Sequence, residues 1–580
     1  MRRLFTLLLL IVFLYNCSGV EKQQFEYAGG TLTMALSNEP STYIPRQVYD
    51  VYSATVISQI TECLVDIDPK TLKIVPKIAE KWSSKNDGKI YEFTLREGVR
   101  FHPHDVFNSD DDRLLTTKDV QKTFEMGCGK ESDGSDTPLY SHVLKDLVQG
   151  ANDFHEGKSK TISGIVCDGN SVRFELTHSD HNFLYKLANI SASIVSHRII
   201  EKNLETDIIG TGPFRYAKHT NSSQPSLILV KNNDYYLNDK EGNALPYLDS
   251  LVFLFQSRKL EQLDLFESGK TDLIVGLPTS RIARMLDDRI EDFNSAPPKL
   301  ILAENPLLET NFYFFNMLDP RFKNPKVRQA FNYAVNREVL GQNILRNQYY
   351  DLGHYGITPP IQKALKGYNF AEVKEASYKY DPEKARELLA EAGYPDGKGF
   401  GVVELRYNIN EIHLEIADEF SKQIKRVLGI TVNIEGSEFN MLKEDYKIGN
   451  GDIFRSGWNA DYPSPESFLM SFYGANVPDD SLIPSPINMS RYTNKQFDTY
   501  FEQALKAEKM TDQMRLLSKA EVELMKDPPI IPLWYTGDIE IAYSYVRNFH
   551  FNALNYFNFT KVYIKPWTTE EYEKYVSSQK

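Results

Sequence analysis

Residues Asn324 to Arg337 read Asn-Pro-Lys-Val-Arg-Gln-Ala-Phe-Asn-Tyr-Ala-Val-Asn-Arg, the best-marked element in a chain of 580 residues. Asparagine and proline open it as a helix N-cap and first helical residue, because the amide oxygen accepts an orphan N–H and proline has none to leave unpaired. Val327, Ala330, Phe331, Ala334 and Val335 then fall at i, i+3, i+4, i+7 and i+8, the apolar stripe of a helix laid against a core. Asp381 and Pro382 repeat the opening, Ala385, Leu388, Leu389 and Ala392 make the stripe, and Gly393 ends it as a left-handed cap. Working outward, Gly30 to Leu36 and Tyr91 to Leu95 read as strands, the second preceded by an Asp87-Gly88 turn. Helices and strands are interspersed throughout, so the fold class is α/β or mixed α+β. The tracts Gly129 to Pro138 and Val477 to Pro486 read as surface loops.

Composition limits what such a chain can do. Lys and Arg number 66 against 79 Asp and Glu, a formal charge of −13, which excludes a bulk basic nucleic-acid binder. Hydrophobic residues make up 41% and aromatics 12%, enough for large cores and too much for a disordered chain.

The N-terminus reads as an export signal. Arg2 and Arg3 precede an apolar run from Leu4 to Leu14 that is shorter than the roughly 18 residues needed to span a bilayer. It ends in Leu14-Tyr15-Asn16-Cys17, which resembles a bacterial lipoprotein box. The expectation is a signal peptide over 1–16, lipid on Cys17, and residues 17–28 as a tether. Export also permits a disulfide. Cys128 and Cys167 either close a loop, worth roughly 4 kcal/mol, or stand as two buried thiols. Cys63 reads as core.

Catalytic signatures fail one at a time. Asp264 stands where a P-loop ending at Gly269-Lys270-Thr271 needs its first glycine, and Arg215 stands where a dinucleotide fingerprint beginning at Gly210 needs its third. There is no Gly-x-Ser-x-Gly elbow, and His155-Glu156 has no second His at the zinc-protease spacing. His102-Pro103-His104-Asp105 reads as a solvated loop in preference to a metal site. The residues point to a binding protein, with no enzyme activity, metal or cofactor expected.

Eight segments, in order, resemble one family, the extracytoplasmic solute-binding proteins of ABC importers in the subfamily that includes oligopeptide- and dipeptide-binding proteins. They are Pro76 to Trp82 (PKIAEKW), Asp87 to Phe101 (DGKIYEFTLREGVRF), Gly210 to Phe214 (GTGPF), Asn324 to Arg337, Tyr380 to Tyr394 (YDPEKARELLAEAGY), Arg455 to Pro465 (RSGWNADYPSP), Asn488 to Asp498 (NMSRYTNKQFD) and Asp527 to Pro532 (DPPIIP). The resemblance covers about residues 30 to 565. It implies the two-lobed periplasmic-binding-protein fold of the large, three-domain, peptide-binding type. Lobe one would comprise 29–62, 191–303 and 537–580, with 63–190 as its inserted domain, and lobe two 304–536, hinged near 304–312 and 533–538. It further implies a monomer on the extracytoplasmic side of a bacterial membrane, with short peptides and ABC permease subunits as partners. A nickel, haem or other small-solute binder, or a surface adhesin or signalling lipoprotein, would reuse the same fold.

Most of these segments read as scaffold: turns at Gly98 and Gly212, packing at Trp82 and Phe101, strand ends at Pro529 and Pro532. Arg455 to Tyr462 is similar to the oligopeptide-binding branch, and by position this makes Asp461 the partner of a peptide's α-ammonium. It also makes Arg455 the candidate carboxylate partner and Gly457, Trp458 and Asn459 a backbone clamp; Tyr49, Asp50 and Val51 would be the opposite clamp. Physical chemistry agrees in kind, because an enclosed zwitterion needs one fixed anion and one fixed cation. Arg455 and Asp461 are about 20 Å apart if fully extended, so the chain must turn or Arg455 must reach inward.

Overall fold

The computed structural model describes residues 25–86, 88–278, 281–346, 348–362 and 364–579, so the signal segment, Cys17 and Asp87 lie outside the described residues. One mixed sheet runs through the molecule. Its strands in chain order are β1 (Thr31–Leu36), β2 (Phe214–Thr220), β3 (Ser226–Lys231), β4 (Ser250–Phe255), β5 (Leu273–Val275), β6 (Leu300–Phe315), β7 (Val403–Asn408), β8 (Val432–Ser437), β9 (Ile453–Asn459) and β10 (Ile530–Tyr543). They lie side by side as β8-β7-β9-β6-β10-β5-β1-β4-β3-β2, with the short strand Asp351–Leu352 added on β10. A separate antiparallel sheet is built from Ala79–Lys85, Ile90–Leu95, Ser171–Glu175 and Ile165–Asp168, in that spatial order.

Strands β6 and β10 join the two ends of the large sheet. They pair antiparallel from Leu300 opposite Tyr543 to Pro306 opposite Gly537, lose register, and resume at Thr310 opposite Tyr535. A second irregularity falls between Asn311 and Phe312, where Pro532 enters the ladder without an N–H to donate. Pro532 therefore lies at a bulge inside β10 and not at a strand end. On one side of the interruption the core gathers Leu32, Phe214, Phe253 and Phe559; on the other it gathers Tyr313, Phe331, Phe420 and Leu405. The small sheet has its own core of Phe93, Phe124, Phe174 and Phe183.

The helices form where the sequence pattern places them. In α1 (Pro325–Ala334) Asn324 accepts from Lys326 N–H, and Val327, Ala330, Phe331 and Ala334 are fully buried. In α2 (Pro382–Glu391) Asp381 accepts from Lys384 N–H, and Gly393 takes φ +98° just beyond the end. The buried guanidinium of Arg328 on α1 pairs with Asp527 and donates to Pro528 O at 2.9 Å, and Arg337 donates to Pro532 O at 2.6 Å. Two quoted motifs 200 residues apart thus meet in one hydrogen-bond set.

Several expectations change. Cys128 and Cys167 are free thiols, donating to Ala151 O and Thr117 O at 3.3 Å each. Cys128 caps the C-terminus of the helix Thr117–Gly127, and Cys167 sits at its N-terminus; 11 residues at about 1.5 Å of rise separate the thiols by roughly 16 Å, far beyond disulfide reach. Gly212 serves close approach, not a turn, since a Cβ there would lie 2.6 Å from Gln59 O and Ile60 O. His102 is not solvated: its buried ring receives Gly210 N–H at 3.3 Å and contacts Gly212 O at 3.0 Å, and burial pushes its pKa down to about 4. The stretch expected to be tether is docked by residue 25, where Phe25 stacks on Tyr247 at 4.2 Å.

Candidate functional site

A cavity of about 490 Å³ opens where the two ends of the large sheet and the small-sheet body converge. Its wall includes Tyr49, Asp50, Val51, Arg455, Gly457, Trp458, Asn459 and Asp461, so residues from distant parts of the chain share one space.

Strand β9 supplies the central wall. On one edge it pairs with β6 from Ile453 to Asn459. On the other, β7 pairs only with Ile453 and Phe454 and then diverges. Ala460 N–H donates to Leu308 O on the β6 side, so by the two-residue alternation Arg455, Gly457 and Asn459 turn their N–H and C=O groups to the other edge. Tyr446 Oη donates to Arg455 O from that side. Gly457 and Asn459 are left as an open ladder facing the cavity, which suits an added extended chain. Gly457 also keeps room for the cation beside it, because a Cβ there would lie 3.3 Å from Arg455 Nη2 and Asn311 Oδ1.

Charge lies at both ends of this edge. Arg455 donates to the side-chain oxygens of Asn311 and, at 3.3 Å, Asn408, and its Nε is buried without an acceptor. Trp458 Nε1 and Asn459 Oδ1 are likewise buried and unpartnered, while Asn459 Nδ2 donates to Leu554 O at 2.6 Å. The chain bends after Asn459, and Asp461 N–H donates to Ser467 Oγ at 2.9 Å. Asp461 is half-buried, with its carboxylate on the cavity wall. Burial raises its pKa to about 6, and hydrogen bonds from Asn189 and Ser467 offset only part of that. Among the described residues no Lys or Arg forms an ion pair with it.

Other wall charges are internally satisfied. Lys77 bridges Asp66 at 3.0 Å and Glu62 at 3.4 Å, and Glu62 also receives Tyr235 and Thr211 hydroxyls. Asp50 caps the helix α3 (Val51–Ile57) through Ser53 N–H and pairs with Lys443 at 2.9 Å. Burial alone would raise the Asp50 pKa, but Lys443, Ser41 and Ser53 hold it below the usual range. The opposite clamp therefore differs from expectation. The Asp50 carbonyl accepts Ala54 N–H and the Val51 carbonyl accepts Thr55 Oγ1, so these two carbonyls already serve a helix.

His413, Asn408, Asn311 and Asn189 were not legible in the sequence as site residues, since they reach the cavity from separate elements and carry no shared spacing. His413 Nδ1 donates to Asn408 O at 3.2 Å, and burial, reinforced by Arg455, pushes its pKa well below that of free imidazole. Arg455 is therefore the cation of this end of the cavity, with a neutral His413 beside it.

Residues 73–479 match the family model described as bacterial extracellular solute-binding proteins, family 5. The chain belongs to that family. Family 5 solute-binding proteins of ABC importers are binding proteins and not enzymes, and their peptide-binding members carry this multi-domain α/β fold. The dipeptide-binding protein of Escherichia coli is 26% identical over 548 residues, covering 91% of this chain and 92% of that one. The haem-binding protein A of Haemophilus influenzae is 25% identical over 534 residues, covering 89% of each. Among solved structures, the periplasmic binding protein DppA of Helicobacter pylori in complex with the peptide STSA superposes with a TM-score of 0.78 at 25% identity, covering 93% of this chain and 99% of that one. No helix of the described residues is long and apolar enough to cross a membrane.

Proposed function

We propose that this family 5 protein is a lipid-anchored monomer that captures short peptides between two lobes and delivers them to an ABC permease. Lobe one would comprise 29–62, 191–303 and 537–580 with 63–190 inserted, and lobe two 304–536; the register breaks in β6 and β10 support a hinge there. The observation that carries the reading is Asp461. A carboxylate enclosed without a cation is costly, and a peptide's α-ammonium supplies the missing charge. The open edge at Gly457 and Asn459 would pair with the peptide main chain, and Arg455 would meet a carboxylate at the far end. Closure then follows from chemistry: enclosing Asp461 is unfavourable until the ammonium arrives, and only the closed form contacts ligand from both lobes.

Calorimetry with trialanine and N-acetyl-trialanine tests this. Wild type is expected to prefer the free peptide by about 30-fold or more, since leaving one partner of a buried charge pair alone costs about 2 to 5 kcal/mol. Asp461→Ala should lose the preference. Equal binding of both peptides by wild type would refute the assignment. Fatty-acid labelling of cells expressing wild type or Cys17→Ser tests the anchor, and equal labelling would remove it.

A further inference from the structure

Two ion pairs cross from one proposed lobe to the other, on residues that bracket the cavity. Lys443 lies on helix α4 (Phe439–Ile448) of lobe two and is almost fully buried. Its ammonium meets Asp50 at 2.9 Å and Ser41 Oγ at 2.8 Å, both on lobe one, and lies 4.0 Å over the ring of Tyr49. Lys447, one turn on, approaches the same ring at 5.1 Å. Elsewhere on the cleft Lys186 of the inserted domain meets Asp180 at 2.6 Å and Glu466 of lobe two at 2.6 Å, and all three side chains are buried. Asn182 from the inserted domain donates to Glu466 at 2.7 Å. Lys443, Lys186 and Glu466 do not line the cavity, so none of them is placed to touch ligand.

Buried ion pairs return little more than their desolvation costs, so their main effect is to penalise arrangements in which a partner is missing. An open cleft hydrates all these charges, and a cleft closed in the wrong register strands them. We infer that Lys443 and Glu466 are positioning residues, which set ligand affinity by admitting only the closed register in which Lys443 meets Asp50 and Glu466 meets Lys186. This rests on the two-lobe reading above.

Calorimetry with trialanine on wild type, Lys443→Met and Asp50→Asn/Lys443→Met decides it. Asparagine at 50 can still cap the helix. Lys443→Met leaves Asp50 charged and alone on closure, and is expected to weaken binding about 30-fold or more. The double variant removes the stranded charge and should recover to within about tenfold of wild type, a rescue that loss of packing would not give. Lys186→Met, which leaves Asp180 and Glu466 facing each other, should weaken binding at least as much as Lys443→Met. Lys443→Met binding within about threefold of wild type, or a double variant no tighter than the single one, overturns the inference. If wild type binds no trialanine, that outcome counts against the peptide reading alone. Disulfide trapping of ligand-free protein then decides the latch, through Asn182→Cys and Ser464→Cys at positions whose native side chains meet across the cleft at 3.3 Å. Lys443→Met must be trapped more slowly than the double variant, and equal rates overturn it.

Discussion

Asp461 illustrates a trade between stability and binding at a single residue. Its folded pKa of about 6 against the ordinary 3.8 means that below pH 3.8 the group is protonated folded or unfolded and costs nothing. As pH rises through 6 the closed, ligand-free form must hold a charge that the open form hydrates, and closure without ligand becomes about 3 kcal/mol less favourable in total. Asp461→Asn is therefore expected to lower the radius of gyration of the ligand-free protein at pH 7.5 in small-angle scattering, and to change it little at pH 3.5. The same pKa shapes binding. Affinity for a free tripeptide should be level between about pH 6 and 8. It should drop by up to about tenfold per unit below 6 as Asp461 protonates, and again above 8 as the peptide's own ammonium, of ordinary pKa about 7.7 to 8.0, is lost. Calorimetry across pH 4.5 to 9.5 checks both limbs, and a flat acid limb would mean that Asp461 does not hold the ammonium.

At the scale of the element, the working part is the free edge of β9. If a peptide adds to it as a strand, methylating the central amide nitrogen of a tripeptide removes one ladder donor and adds bulk against Gly457 or Asn459. The expected loss is about tenfold or more, at roughly 1 kcal/mol for the hydrogen bond plus the steric term, while exchanging side chains matters less. Equal affinity for methylated and parent peptides would exclude strand addition. Helix α1 is scaffold by contrast: Asn324→Ala should lower stability by about 1 kcal/mol in thermal or urea unfolding and leave peptide affinity unchanged. The pattern of α1 was fully legible, because cap, proline and stripe are local signals. The open edge was not, because it depends on where β7 leaves β9, a fact about two strands that are 45 residues or more apart.

For the whole molecule, ligand should compact the chain by bringing lobes together about β6 and β10, with each core intact. A saturating peptide is expected to lower the radius of gyration in small-angle scattering. An unchanged radius for a demonstrably bound peptide, starting from ligand-free protein, would rule out hinge closure.

What the sequence determined by itself follows from short-range physics and ordered motifs. Capped amphipathic helices such as Asn324–Arg337 showed the α/β class, missing catalytic signatures pointed to binding, and the run from Arg455 to Tyr462 marked the wall of the site together with its resemblance to a family. What only the tertiary structure decided concerns groups brought together from afar. Cys128 and Cys167 are held at opposite ends of one helix, His102 is buried against Gly210 and Gly212, and the Asp50 carboxylate is committed to Lys443, 393 residues on. Resemblance marked Asp461, but the burial that raises its pKa, with no Lys or Arg in an ion pair with it among the described residues, comes from elements far apart in the chain and is a property of the folded chain alone.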